Sequence, residues 1–436
     1  MIQILIPAST PRLSFTLDLI FSRIIGIPYE IIPLSEWHAG QETPLINYTQ
    51  LIIPEAFSIP NAGIHKSTDI LPVDVRLANR EIPYLFHYSA SGSSYQLEFD
   101  IFSAVFYLAT DYEKYIEAIR DSHDRFDLIQ YPSNDYGLQA LPLVHIYCEE
   151  LWEKLCLQYT SLASSRKPPV FDYRITWDID FPWKYFHKDP LTHIGGFFKD
   201  IRAGEWKRLK ERTRAWLTGK DPNDSFSQIY SLSPPDKTIF FFLIDRNAQQ
   251  DSRFTWRNPH LRALIRYISD QGYTTGIHPS YSSYLDPVRI QEECQRLREI
   301  TDKPVTHSRQ HFLRYRLPDT FRYLAEAGIE QEFTLCRFQE AGFPCGMAVP
   351  FPWYDLLKDE MTDLILWPTL VMDRTLQQYL GLGPEEAVKH FHKLLQITRR
   401  YKGMFTILLH NDVLSESEEW KGWREPVSAF LKELAG

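Results

Sequence analysis

The sequence predicts an α/β protein built from two domains, and three observations carry that prediction. The chain has 436 residues, more than one ordinary core organises. Short apolar runs alternate with segments of helical spacing along most of its length. A polar, Pro-rich stretch, SSRKPP at 164–169, separates two regions of different rhythm.

The first region, 1–165, reads as a smaller α/β domain with a parallel or mixed sheet. IQILIP (2–7) and QLIIPE (50–55) have the continuous apolar character of buried strands. RLSFTLDLIFSRI (12–24) and FDIFSAVFYLATDYEKYIEAI (99–119) place apolar residues at helical spacing. ALPLVHIYCEELWEKLCLQYT (140–160) reads as a connecting helix. The region has no phosphate loop and no GxGxxG.

The second region, 170–436, alternates strands and helices. YRITWDID (173–180), TIFFFLI (238–244), TTGIH (274–278), GMAVPF (346–351) and MFTILLH (404–410) read as strands. LRALIRYISDQG (261–272), PVRIQEECQRLREI (287–300), DTFRYLAEAG (319–328) and PEEAVKHFHKLLQITRRY (384–401) read as helices. Gly272 and Gly328 mark two helix ends, where glycine accommodates left-handed backbone. Repeated β-α units favour a barrel or a doubly wound sheet.

Composition narrows the function classes. A net charge of −9 argues against a nucleic-acid partner, which demands a basic surface. Five cysteines, an odd number with no CxxC pair, argue against a disulfide framework and a cysteine-zinc site; a reducing, cytoplasmic compartment fits. MIQILIPASTPRLSF lacks the basic start of a signal peptide and reads as a first strand. With no run of about 18 apolar residues, no membrane span is expected.

Four segments carry groups suited to chemistry. In ITWDIDFP (175–182), strand alternation puts Asp178 and Asp180 on one face. Two adjacent carboxylates are costly unless a cation or proton separates them, so a metal ligand beside a general base fits. An exposed pair at a loop start, stopped by Pro182, fits the same string. His278 closes a short strand before Pro279 and suits zinc, or serves as a structural hydrogen-bonding residue. In THSRQHFLRYRLP (306–318), His307 and His311 stand four apart, as ligands on one helix face do, or as surface residues do; Arg309 suits bidentate orientation of a carboxylate. His410 ends the apolar strand MFTILLH and suits protonation of a leaving group, or caps the chain beside Asn411 and Asp412. Structural Asp and His residues have no reason to gather at the same end of several strands, and here each follows a predicted strand.

These residues resemble the NodB-homology domain of polysaccharide deacetylases, carbohydrate esterase family four, in a bacterial branch with an N-terminal domain of unknown function. The resemblance spans nearly the whole chain. It rests on FDIFSAVFYLATDYEKY, HDRFD (123–127) and LPLVHIYCEELWEKL in the first region. In the second it rests on TWDIDFPWKY, DPNDSF (221–226), IFFFLID, GIHPSY, SRQHFLR, VMDRTL (371–376) and LLHND. It implies a distorted (β/α)7 barrel with a divalent metal, zinc by its ligands. By motif, Asp178 matches the base, Asp180 and His278 the metal ligands, His410 the acid, and Arg309 an arginine that orients the base. Where the family places its second metal His, four residues after the first, this chain has Ser282; His311 is the replacement candidate. The family's GFRAG-like stretch reads GFPCG, with Pro344 for Arg, and a nearby acid is Glu332.

The implied activity is removal of an N- or O-linked acetyl group from a sugar or glycan precursor. Asp178 takes the proton of the attacking water, and His410 protonates the departing amine or alkoxide. Trp177, Trp183 and Tyr185 flank the acidic motif and would stack on a sugar ring or pack the core; Trp177 alternates away from the two Asp residues. Two other readings share these residues: a metal-dependent amidase acting on a small non-sugar molecule, and a degenerate domain that binds glycan or a protein, to which Ser282 and Pro344 point.

Overall fold

A computed structural model describes residues 1–38, 44–77, 82–88, 95–116, 118–127, 140–188, 190–415 and 417–436. Two sheets organise them. The first holds β1 (Ile2–Ile6), β2 (Tyr29–Pro33), β3 (Leu45–Asn47) and β4 (Phe57–Ser58), in the order β2-β1-β3-β4 and entirely parallel. Around it lie α1 (Pro11–Leu17), α2 (Ile101–Ala109), α3 (Tyr112–Ile116) and α4 (Leu143–Gln158). β1 is buried along its whole length, as a central parallel strand must be, with Gln3 its one polar residue.

Three local readings are corrected here. QLIIPE is not a strand: Leu51 and Ile52 are exposed, and the sheet uses residues 45–47 and 57–58 on either side. The Asn47 side chain accepts from Thr49 N at 3.0 Å and turns the chain away from the sheet. The helix expected over 12–24 is α-helical only to Leu17 and continues as a π-helix over Asp18–Ile25. The helix expected over 99–119 breaks at Asp111, whose φ is 51°, into α2 and α3; Glu117 lies outside the described residues.

The second sheet has nine strands: β5 (Asp172–Ile179), β6 (Thr238–Phe242), β7 (Thr274–Ile277), β8 (His307–Ser308), β9 (Gln331–Glu332), β10 (Phe351–Asp355), β11 (Glu360–Leu366), β12 (Val371–Met372) and β13 (Met404–His410). Their order is β10-β11-β9-β8-β7-β6-β5-β13-β12, parallel throughout except for the β10–β11 pair. Among the described residues no pairing joins β10 to β12. The crossovers carry α5 (Pro190–Arg202), α6 (Trp206–Thr218), α7 (Phe226–Leu232), α8 (Pro259–Asp270), α9 (Pro287–Thr301), α10 (Asp319–Glu326) and α11 (Pro384–Arg400); α12 (Arg424–Ala435) follows β13. Asn258 and Asp286 cap α8 and α9 through their side chains, each ahead of a Pro at N1. Gly272 and Gly328 adopt φ of 86° and 89° just past their helices, as expected.

GMAVPF is not a strand either. Pro344–Gly346 form a 3-10 turn against the first region, where the Ala348 amide donates to His145 Nε2 at 3.0 Å. The two sheets share one continuous apolar cluster. Arg12 pairs with Asp359 at 2.8 Å, and Gln339 donates to Asp127 at 2.8 Å. SSRKPP is likewise held: Lys167 N donates to Gly26 O at 2.7 Å, and a Cβ on Gly26, whose φ is 75°, would collide with the Lys167 carbonyl. The five cysteines are unpaired. No described helix is long and apolar enough to cross a membrane.

Candidate functional site

The C-terminal ends of the central parallel strands build the site, as expected for open and closed β/α sheets alike. β5 runs between β13 and β6, and its register places Asp178 beside His410. His278 directly follows β7, its N–H donating to Phe242 O at 3.0 Å. His311 follows β8 at the head of a tight turn in which Phe312 and Leu313 take φ of 61° and 55°. Two consecutive bulky residues in the left-handed region are strained, and in this turn His311, Phe312 and Leu313 all line the cleft.

The pairs deduced from single segments meet in three dimensions. Asp180 Oδ1 is 3.3 Å from His278 Nε2, and Asp180 Oδ2 is 3.7 Å from His311 Nε2. One donor atom from each of Asp180, His278 and His311 lies within 4.8 Å of the others, and all three residues are buried. Each imidazole is turned by its other nitrogen. His278 Nδ1–H donates to the Arg309 carbonyl at 2.5 Å, and His311 Nδ1–H donates to Asp251 Oδ1 at 3.1 Å. Both therefore turn Nε2 toward Asp180. Asp251 is itself fixed by the amides of Asn247, Ala248 and Tyr281, each at 2.8 Å.

This donor set fits a divalent first-row cation such as zinc: one carboxylate and two neutral imidazoles, with buried Asp180 Oδ1 making no hydrogen bond. The field at the cluster is negative. Burial alone would lower the His311 pKa, yet the carboxylates of Asp180 and Asp251 raise it to about 9. Burial would raise the Asp180 pKa, yet His311 and His278 hold it well below the usual carboxylate range. Cationic charge at this point is what the geometry rewards.

Two further residues flank the cluster. Asp178 Oδ1 accepts from Arg309 Nη1 at 2.8 Å, and its Oδ2 is 3.7 Å from His278 Nε2. Arg309 is fully buried and donates also to Thr176 Oγ1 (2.8 Å), Thr369 Oγ1 (3.1 Å) and Phe333 O (3.1 Å). Its grip on Asp178 is therefore single, not bidentate, because the rest of the fork is spent on these neighbours. His410 Nε2 is 3.7 Å from Asp180 Oδ2, and its Nδ1–H donates to Asp373 Oδ1 at 2.8 Å. Burial would lower the His410 pKa; Asp373 raises it.

Several expectations change. His307 and His311 share no helix face: His307 lies in β8, with Nδ1 3.0 Å from Thr306 Oγ1, away from the cluster. Ser282 is exposed, and His311 stands among the candidate ligands instead. Pro344 packs toward the first region and Glu332 is buried among Ser308 and Thr334; neither lines the cleft. Trp177, Trp183 and Tyr185 are buried, with Trp177 Nε1 donating to Ser233 Oγ at 3.1 Å, so none presents a ring face to a sugar.

The cleft over the cluster has a volume of about 420 Å³. Phe181, Phe312 and Tyr379 supply its rings, and Gln250, Gln310 and Gln378 its amides. Two arginines line it that sequence reasoning passed over. Arg374 pairs with Asp412 at 2.6 Å. Arg125 reaches in from HDRFD, held by Asp121 at 2.7 Å and Tyr379 OH at 3.1 Å, its guanidinium 3.5 Å from the Phe338 ring centre. Asp251 and Asp373 were also missed. Asp373 sits in VMDRTL, a string already conspicuous, whereas Asp251 in QQDSRF gave no signal.

Residues 2–160 match a protein family of unknown function, DUF7033. No curated protein matches the chain. Among solved structures, a protein from Mycobacterium smegmatis assigned to the polysaccharide deacetylases is 16% identical, with a TM-score of 0.39, covering 62% of this chain and 85% of its own. A CE4 family pseudoenzyme from Bacillus anthracis is 10% identical, with a TM-score of 0.32, covering 62% of each chain. Agd3, described as a novel carbohydrate deacetylase, is 7% identical, with a TM-score of 0.37, covering 100% of this chain and 84% of its own.

Proposed function

We propose that this chain is a metal-dependent hydrolase that removes an N- or O-linked acetyl group from a sugar or glycan precursor. The observation that carries the reading is the convergence of Asp180, His278 and His311 donor atoms within 4.8 Å, with Asp178 and His410 on either side. We read residues 170–436 as a distorted (β/α)7 barrel with the site at its rim, and residues 1–165 as a domain packed against it.

Asp180, His278 and His311 would hold the cation, which when bound supplies Lewis acidity and a water of lowered pKa. Asp178, oriented by Arg309, accepts the proton of the attacking water. His410 delivers a proton from Nε2 to the departing amine or alkoxide, while Asp373 holds Nδ1–H and stabilises the imidazolium. Side-chain amides and the Arg125 guanidinium offer hydrogen bonds to hydroxyl and carbonyl oxygens, and Phe181, Phe312 and Tyr379 offer ring faces.

The test is metal content and acetate release with the purified full chain. About one equivalent of zinc is expected, lost in Asp180→Ala and kept in Asp178→Asn, with acetate released from N-acetylglucosamine oligomers by the wild type alone. A protein that holds metal but frees acetate only from small non-sugar amides is an amidase. One that binds no divalent cation refutes the hydrolase and leaves a binding domain.

A further inference from the structure

The helical hairpin of α5 and α6 has an inner face that is packed and an outer face that nothing among the described residues covers. Inside, buried Asp200 and Arg212 pair at 2.7 Å, the Arg212 guanidinium lies 4.7 Å from the Tyr185 ring centre, and Phe197 stacks on Trp216 at 6.1 Å. These contacts join the helices to each other and to the loop after β5. Outside, Ile194, Phe198 and Ile201 are spaced four and three apart, one stripe of α5, and they are 56%, 64% and 40% exposed. On α6, Trp206 and Leu217 are eleven residues apart, about three turns, so they share a line; they are 69% and 83% exposed. Isolated exposed apolar residues need no explanation, but two adjacent helices each showing such a stripe do.

Charge chooses the occupant. Between residues 194 and 220 there are eight lysines and arginines against three acids, in a chain whose net charge is −9. Lys199, Arg202, Lys210, Arg214 and Lys220 are exposed and have no carboxylate partner among the described residues. By helical geometry Arg202 borders the α5 stripe, and Lys210 and Arg214 border the Trp206–Leu217 line. Aromatic and aliphatic residues bordered by cations are the pattern of helices that lie in a lipid–water interface. We propose that the α5–α6 hairpin docks the protein on an anionic lipid surface, with Phe198, Ile201 and Trp206 entering the acyl boundary. The hairpin leaves β5 ten residues after Asp180, so docking would set the catalytic rim close to that surface.

Co-sedimentation of the full chain with vesicles tests this without turnover, so its failure leaves the hydrolase reading standing. The wild type is expected to sediment with vesicles of phosphatidylcholine and phosphatidylglycerol in equal parts, to stay soluble with pure phosphatidylcholine, and to be released by salt. Each cation near an anionic surface is worth about a five-fold factor in partitioning, so Arg202→Glu/Lys210→Glu/Arg214→Glu should weaken binding more than about 100-fold. Phe198→Ser/Ile201→Ser/Trp206→Ser should abolish it, with circular dichroism and metal content unchanged, since these side chains lie 40–69% exposed and outside the apolar core. Wild type that ignores the anionic vesicles, or triple variants that bind as well as wild type, overturns the proposal. Concentration-dependent dimers that dissolve in the Ser triple variant, without vesicle binding, would assign the face to a second copy of the chain and overturn it equally.

Discussion

Replacing Arg309 by Met isolates the electrostatics of the proposed base. Arg309 and Asp178 are both buried and 2.8 Å apart. With an effective dielectric of about 20, their attraction is about 6 kcal/mol. Met fills much of the same volume but strands a buried carboxylate, which typically costs about 3–5 kcal/mol. In the double variant Asp178→Asn/Arg309→Met the carboxylate is gone, so much of that cost should return. The expected coupling is about 2–3 kcal/mol, read as urea-midpoint shifts at constant slope for the four proteins of the cycle. Zinc content should be unchanged throughout, because His278 is oriented by the backbone carbonyl of residue 309, which Met retains. Additive destabilisation, or a single variant as stable as wild type, would show that Asp178 does not depend on this cation, and its role as an ionised base would fall with it.

Three further outcomes follow from other contacts. Asp373→Asn keeps one oxygen for the His410 amide, now at 2.7 Å, and turns an NH2 toward Nδ1; losing a charge-assisted bond worth about 1.5–3 kcal/mol should cut acetate release roughly 10- to 100-fold with metal retained, and an unchanged rate would remove His410 as the acid. Arg125→Ala should raise KM for an oligosaccharide substrate several-fold while kcat and zinc content hold; a fall in kcat alone would contradict a positioning role. Glu293 accepts from Ser280 N and Oγ at 2.8 and 2.5 Å, yet burial outweighs these bonds and lifts its pKa from 4.5 to about 8. The native state then binds the proton more tightly than the unfolded chain, so this group's stabilisation is complete below about pH 4.5 and is lost as pH rises through about 8, on the order of a few kcal/mol. Glu293→Gln should flatten that slope in urea titrations, and a slope equal to wild type would mean the carboxyl is already ionised in the fold.

What could be seen in the string was local and periodic. β5, β6 and β13 announced themselves as apolar runs, β7 as a short strand closed by His278 before Pro279, and α8 and α9 as segments of helical pattern. β8, β9 and β12 are two residues each, too short for any period to show, and QLIIPE showed that an apolar run beside an Asn turn need not join a sheet. Asp178, Asp180, His278 and His410 were visible because an acid or imidazole closing an apolar strand is chemically out of place there. Spacing alone left His307 and His311 equally eligible, and only the resemblance named His311 as the replacement ligand; in the fold His311 stands beside Asp180, at the head of the turn through Phe312 and Leu313.

The sequence by itself determined the α/β class, three of the strands that carry the candidate site (β5, β7 and β13) and the presence of an acid or imidazole at the end of each, because each depends on residues within one or two helical turns of itself. Tertiary structure alone decided the rest. Asp251 and Asp373 became partners of His311 and His410, Arg309 found Asp178 across the sheet, and Arg125 entered the cleft from the other end of the chain. Those pairings span 37 to 254 residues of sequence. They exist only because parallel strands, brought into register by buried apolar surface, deliver distant segments to one rim.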